Sequence, residues 1–194
     1  SGQAWLYGDE NDDYMTTGTD STSVFMYGGS GIDYIIHNGT GRAEIDGGAD
    51  NDKIYGGVAD DLIRGGSGDD DIDGRGGIDQ IYGDFGNDLI HWDYVELVLG
   101  TIDGGADTDI LEIVGQKGAD DFVITSLGVG TNKFKVANFK AGAVAGSITG
   151  TNIEDLRLDS RAGNDKLTLG YMAGSGLNFV ELNVGRNVTK VGTE

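Results

Sequence analysis

Residues 47–91 read GGADNDKIY GGVADDLIR GGSGDDDID GRGGIDQIY GDFGNDLIH, five units of nine residues joined head to tail. Each unit opens on Gly, carries Asp at its sixth place and Ile at its eighth. A strict period of this kind marks a repeat architecture, in which each unit buries its apolar face only against its neighbours. The first six residues of a unit read as a turn, because glycine opens backbone conformations closed to other residues and leaves carbonyls bare. The last three read as a short strand whose alternate side chains face opposite ways. Ile54, Ile63, Ile72, Ile81 and Ile90 then point inward, and Lys53, Arg64, Asp73 and His91 point to water. Stacked turns bring one Asp each, with several free carbonyls, to a common edge. A hard cation takes about six to eight such oxygens. The plainer alternative is a glycine-rich solenoid whose Asp residues only form turns. Against it, the sixth-place Asp never fails in the five units.

Outside this stretch the pattern loosens. Gly8 opens GDENDDYMT, with Asp13 sixth and Met15 eighth. Gly28 opens GGSGIDYII, with Asp33 and Ile35 in those places, and GGADTDILE at 104–112 supplies Asp109 and Leu111. Blocks 17–27, 37–46 and 92–103 each replace one unit, with two, one and three extra residues and no Asp in register. Met26 or Phe25, then Ile45 and Ile102, keep their inward places. QAWLY at 3–7 reads as a strand in which Trp5 or Leu6 caps the end of the stack. His37 reads as a surface histidine, with a softer metal ion as the other use for its ring. If two units make one full turn, loops fall alternately on two edges. Asp13, Asp33, Asp52, Asp70, Asp88 and Asp109 then share one edge, and only Asp61 and Asp79 are in register on the other. One long and one short cation column are expected.

The GGxGxDxUx nonapeptide, with U a large apolar residue, resembles the RTX or hemolysin-type calcium-binding repeat of bacterial secreted proteins. The likeness is close over 47–91 and less regular over about 8–112. It implies an all-β fold: a right-handed parallel β-roll, or β-solenoid, with calcium-binding turns over 3–112. Residues 113–194 are expected to continue it as a less regular β-solenoid or cap. The resemblance also implies how Ca2+ would be held, each ion lying between two loops one full turn apart. One loop gives its Asp and the carbonyls of places two and four; the later loop gives its Asp and the carbonyls of places one and three. Asp33 with Gly29 and Gly31 would face Asp52 with Gly47 and Ala49. Asp52 with Gly48 and Asp50 would face Asp70 with Gly65 and Ser67. Asp70 with Gly66 and Gly68 would face Asp88 with Gly83 and Phe85. On the other edge Asp61 with Gly57 and Ala59 would face Asp79 with Gly74 and Gly76. About four to six ions follow from this oxygen count. The insertions beside the Asp13–Asp33 and Asp88–Asp109 pairs threaten their stacking.

Composition narrows the function. The 194 residues include 36 Gly, no Cys and no Pro, and the formal net charge is −20. Such a surface repels nucleic acid and anionic membranes and attracts cations. Without disulfides, a metal is the obvious staple for a thin core. No apolar run approaches the length of a membrane span, and no signal peptide is visible. The chain opens on Ser1-Gly2, read as a tag remnant on a piece of a longer protein. Past Ile110 the segments ILEIVG, DDFVITSL, KFKVANF, IEDLRL, KLTLGYM and LNFVELNV alternate in the period of two that marks strands. AGAVAGSITG reads as a loose connection or tight bend, and NVTKVGTE as a frayed tail. The block around AGNDKLTL echoes the repeat, with Asp165 sixth and Leu167 eighth but no obvious partner loop.

The function expected is a calcium-binding structural module of a larger secreted protein. The resemblance implies type I secretion of an unfolded chain and calcium-driven folding outside the cell. The alternatives are a carbohydrate or cell-surface adhesion module and an accessory repeat domain of a secreted polysaccharide-modifying enzyme. For adhesion, Tyr34, Tyr55, Tyr82, Phe85 and Trp92 are the candidates for an exposed aromatic stripe, with edge packing as the plainer reading. No enzyme activity is expected: HExxH and GxSxG are absent, the 13 Lys and Arg are scattered, and His37 and His91 show no acid partner.

Overall fold

The computed structural model describes residues 3–20, 22–93, 99–115, 120–128, 131–140, 143–159, 161, 165–170, 175–184 and 187–192. Every regular element is a strand. Up to residue 114 the strands come in pairs, one pair per turn of the chain. The pairs are β1 (Ala4–Glu10) and β2 (Tyr14–Thr16), β3 (Val24–Ser30) and β4 (Tyr34–Ile36), β5 (Ala43–Ala49) and β6 (Lys53–Tyr55). They continue as β7 (Leu62–Ser67) and β8 (Asp71–Asp73), β9 (Gln80–Phe85) and β10 (Leu89–Asp93), β11 (Leu99–Ala106) and β12 (Ile110–Val114). Odd strands stack in parallel as one sheet and even strands as a second. The fold is a parallel β-solenoid, as the resemblance implies.

The core is a pair of apolar ladders facing each other. On the first sheet Leu6, Met26, Ile45, Ile63, Ile81 and Ile102 lie in register. On the second, Met15, Ile35, Ile54, Ile72, Ile90, Leu111, Leu156 and Val180 do. The isoleucines of both ladders are buried. Burying each such side chain contributes about 1.5–3 kcal/mol. Met26, not Phe25, takes the inward place, and Phe25 stacks outside on Trp5 at 4.2 Å. Trp5 is exposed, so of the two candidates for the cap only Leu6 packs against the core.

The turns are shorter than the sequence suggests. On the first edge only three residues separate the sheets, as at 50–52 and 68–70, because the glycine pair continues the strand and Gly48 pairs with Gly66. All first-edge loops keep that length. The extra residues of blocks 17–27 and 37–46 fall in the second-edge loops 17–23 and 37–42. The first edge therefore stacks without interruption.

Past β12 the chain leaves the coil and then rejoins it. β13 (Asp121–Ser126), β14 (Lys133–Lys140) and β15 (Ala143–Thr151) form an antiparallel meander. β15 returns parallel beside β11, and β16 (Asp155–Asp159) parallel beside β12, so one further coil is completed. β17 (Lys166–Leu169) pairs with β13, β18 (Phe179–Val184) with β16, and β19 (Asn187–Gly192) closes antiparallel on β18. Two expectations are corrected here. AGAVAGSITG is not a bend but contributes β15, whose small residues admit a neighbour: a Cβ on Gly150 would strike the buried Phe134 ring. The tail is not frayed through 187–192, because β18 offers it a pairing edge.

Candidate metal centre

Each first-edge loop delivers its Asp side chain into the interior of the stack. Asp33, Asp52, Asp70, Asp88 and Asp109 are at most 2% exposed, as are Asp61 and Asp79 on the second edge. One carboxylate oxygen of each is tied to the preceding turn. The backbone N–H of Asp13 donates to Asp33 Oδ1 at 2.8 Å, Asp33 to Asp52 at 2.8 Å, and Asp52 to Asp70 at 2.7 Å. Asp70 donates to Asp88 and Asp88 to Asp109, both at 2.9 Å. The threatened end pairs thus keep the same register as the centre, because their insertions lie on the opposite edge. On the second edge Asp61 donates to Asp79 at 2.9 Å, and Ala43 to Asp61 at 2.7 Å.

The other carboxylate oxygen has no such partner. Oδ2 of Asp13, Asp33, Asp52, Asp70, Asp79, Asp88 and Asp109 is buried without a hydrogen bond. An unpartnered buried oxygen of this kind is costly, and six in register on one edge, with Asp79 on the other, make a pattern. Backbone carbonyls close on them. A Cβ built on Gly65 would collide with Asp70 Oδ2 and stand 2.8 Å from Gly83 O; one on Gly47 would meet Asp52 Oδ2 and Gly65 O in the same way. Side-chain oxygen and first-place carbonyl therefore converge on one small space per loop. The second- and fourth-place carbonyls also face the following turn: Gly48 O lies under Gly66 and Asp50 O under Gly68.

The electrostatics follow from the geometry. Burial first, then neighbouring carboxylates, raises the carboxyls of Asp52, Asp70 and Asp109 to about 7 and of Asp88 to about 6. Asp79 is raised to about 7 for the same reasons. Burial also raises Asp33 and Asp61. Asp61 differs in one respect, since its Oδ2 accepts the N–H of Gly57 at 2.8 Å. Among the described residues no three His, Asp or Glu side chains cluster as a metal centre. One carboxylate per loop leaves most of a hard cation's oxygens to come from carbonyls, and these loops present both.

A scan against family models gives the loops a name. The model of the RTX calcium-binding nonapeptide repeat, in four copies, matches residues 37–72 and 64–91. Residues 37–91 carry RTX calcium-binding repeats. No curated protein matches the chain. Over residues 37–91 the repeats point to a calcium-binding structural repeat module, and their donor set fits the metal the repeat implies: orphaned carboxylate oxygens beside inward carbonyls.

Several residues escaped the sequence reading. Fifth-place side chains form a second, outer ladder running the other way. Asn51 Oδ1 accepts the N–H of Asp69 at 2.9 Å, Asp69 that of Asn87 at 2.8 Å, and Asp60 that of Ile78 at 2.7 Å. The recurrence of Asn or Asp at that place was the available signal. Glu154 stands where the next first-edge Asp would, its Oε2 accepting the Asp109 N–H at 2.9 Å. Asp165 does have a partner loop: its Oδ1 accepts the N–H of Asp120 at 2.9 Å. Residues 115–123, GQKGADDFV, carry Asp sixth and an apolar residue eighth, which would have pointed to Asp120.

Other expectations are corrected. His37 is 1% exposed, not a surface residue, and both ring nitrogens are engaged, Nδ1 with Thr17 Oγ1 and Nε2 with Gly41 O, each at 2.9 Å. No lone pair remains for a softer metal. His91 has two acid partners, Asp71 and Glu112, each at 3.0 Å, because strand stacking brings together residues far apart in sequence. The aromatic stripe is not continuous. Trp92 is buried against Gly100, Tyr34 and Tyr55 lie on the second sheet, and Tyr82 lies on the first beneath Arg64.

Proposed function

We propose that this chain is a calcium-folded structural module of a larger secreted protein, held unfolded at low calcium and set by calcium outside the cell. The observation that carries the reading is the set of seven buried Oδ2 atoms without a partner, six in a row on the first edge and Asp79 on the second. Calcium supplies the positive charge and oxygen affinity that such a row lacks. We propose the ligand sets already given: Asp33, Asp52, Asp70 and Asp88, with the carbonyls of their loops, along the first edge, and Asp61 with Asp79 on the second. Asp13 and Asp109 extend the first column at its ends, supported by hydrogen bonds at the same spacing as in its centre. Extracellular calcium modules bind at about 10⁻⁴–10⁻³ M, which suits folding after export.

The reading is tested by far-UV circular dichroism while calcium is added to metal-free protein, with magnesium as control. A cooperative gain of β signal with calcium alone is expected. A chain fully folded in chelator, with no change on adding calcium, would overturn it.

A further inference from the structure

The short column stops at Asp61, and the reason is a side chain. In register with Asp61 and Asp79, the two earlier second-edge loops carry Ala43 and Val24, both buried. Neither supplies a carboxylate. The space so released is not left empty, because His37 turns its ring into it. A Cβ on Gly57 would stand 2.5 Å from His37 Cδ2, and one on Gly39 2.6 Å from His37 Cε1. On the first edge, the equivalent position of Gly66 faces the carbonyl and backbone of Gly48.

The ring also makes the connections between turns that a cation would make. Gly41 O can only accept, so Nε2 carries a hydrogen and donates to it at 2.9 Å. Nδ1 then accepts from the Thr17 hydroxyl, one turn earlier, at 2.9 Å. Thr17 Oγ1 in turn accepts the N–H of Asn38 at 3.0 Å. Two turns are thereby hydrogen-bonded through one imidazole, Thr17 below and Gly41 in its own loop, and the ring packs under Gly57 of the turn above. Above the ring, Gly57 N–H satisfies Asp61 Oδ2, so that oxygen is not orphaned as the other seven are.

We propose that His37 is a built-in strut that takes the place of a calcium ion between loops 37–42 and 56–61. It determines which second-edge loops bind an ion. The proposal rests on the calcium reading of the remaining loops. Its consequence is that the N-terminal second-edge turns are tied together without metal, while the first edge beside them depends on it.

The test counts calcium ions bound to the full chain by native mass spectrometry at saturating calcium. Three proteins are compared: the unchanged chain, His37→Ala, and His37→Gly combined with Ala43→Asp. The combined variant restores a glycine and an acid to the loop and is expected to bind one ion more than the unchanged chain. His37→Ala is expected to bind the same number or one more. An unchanged count in a combined variant that circular dichroism shows to be folded would overturn the proposal. So would the loss of one ion in His37→Ala, which would make the ring a ligand. Should the combined variant fail to fold, the loss of an ion in His37→Ala still overturns the proposal, and the gain of one supports it. An unchanged chain that binds no calcium would refute the calcium reading itself.

Discussion

Asp70 stands at the centre of the first column, where two proposed ion sites share its carboxylate. Its two oxygens have separate tasks: Oδ1 holds the Asp52 N–H, and Oδ2 has no protein partner. Asp70→Asn keeps an acceptor for the ladder but removes the charge. It is expected to stabilise the metal-free chain and to raise the calcium midpoint at least about tenfold, about 1.4 kcal/mol. A calcium titration followed by circular dichroism, with the residual β signal in chelator measured beside it, reads both effects. Opposite signs in the two measurements separate a lost ligand from general damage to packing. The raised carboxyls predict a pH effect at the same scale. An acid whose value is higher folded than unfolded adds stability below its unfolded value of about 4. That stability is lost as pH rises through about 6–7, the folded values of Asp88 and of Asp52 and Asp70. The residual β signal in chelator, read by far-UV circular dichroism, should therefore fall from pH 5 to pH 8. With calcium the trend reverses, since protons and the ion compete for the same oxygens.

At the scale of the element, the loop is built from glycine for two distinct reasons. Gly66 has φ near +116° and faces the Gly48 carbonyl, so any Cβ there meets both strain and backbone. Gly76 sits at a loop place where an added methyl group would find nothing nearer than 3.6 Å. Gly66→Ala is expected to cost about 1–3 kcal/mol, and Gly76→Ala to stay within about 0.5 kcal/mol. Chemical denaturation at fixed calcium distinguishes them. Equal losses would mean that glycine serves the loops only through the unfolded state. The inward isoleucines and sixth-place Asp residues were legible in the sequence because strand and loop periods coincide with the nine-residue repeat. The pairings of Asp120 with Asp165 and of Asp109 with Glu154 were not, because each joins residues 45 apart across the meander.

Across the whole molecule, the two ends of the solenoid differ. The first coil presents the parallel edge strands β1 and β2, with Trp5, Tyr7 and Tyr14 exposed beside them. At the other end the meander and β19 introduce antiparallel pairing, so the coil is not extended in the same way. β15 and β16 cover the apolar rungs of β11 and β12. Removing residues 143–194 uncovers Ile102 and Leu111, both buried in the full chain. The shortened chain is expected to need more calcium for half-folding and to associate, as seen by dichroism and light scattering. An unchanged midpoint and a monomer would show that the repeats stand without this cover.

The nine-residue period by itself determined the inward ladder and the recurrent sixth-place Asp, since both follow from local spacing alone. The resemblance to the RTX repeat added the parallel coil with two units per turn, and so assigned Asp52 and Asp70 to one row. Only the tertiary structure decided what depends on distant segments meeting. It placed AGAVAGSITG as β15 beside β11, gave Asp165 its partner in Asp120, and set His91 between Asp71 and Glu112. It also turned His37 inward, although nothing in its own loop distinguishes it from a surface histidine. Its burial arises from the space left by Ala43 and from the Thr17 hydroxyl one turn away. Regular repetition makes contacts predictable at a fixed offset, whereas an insertion or a missing carboxylate creates a space that only three-dimensional packing can fill.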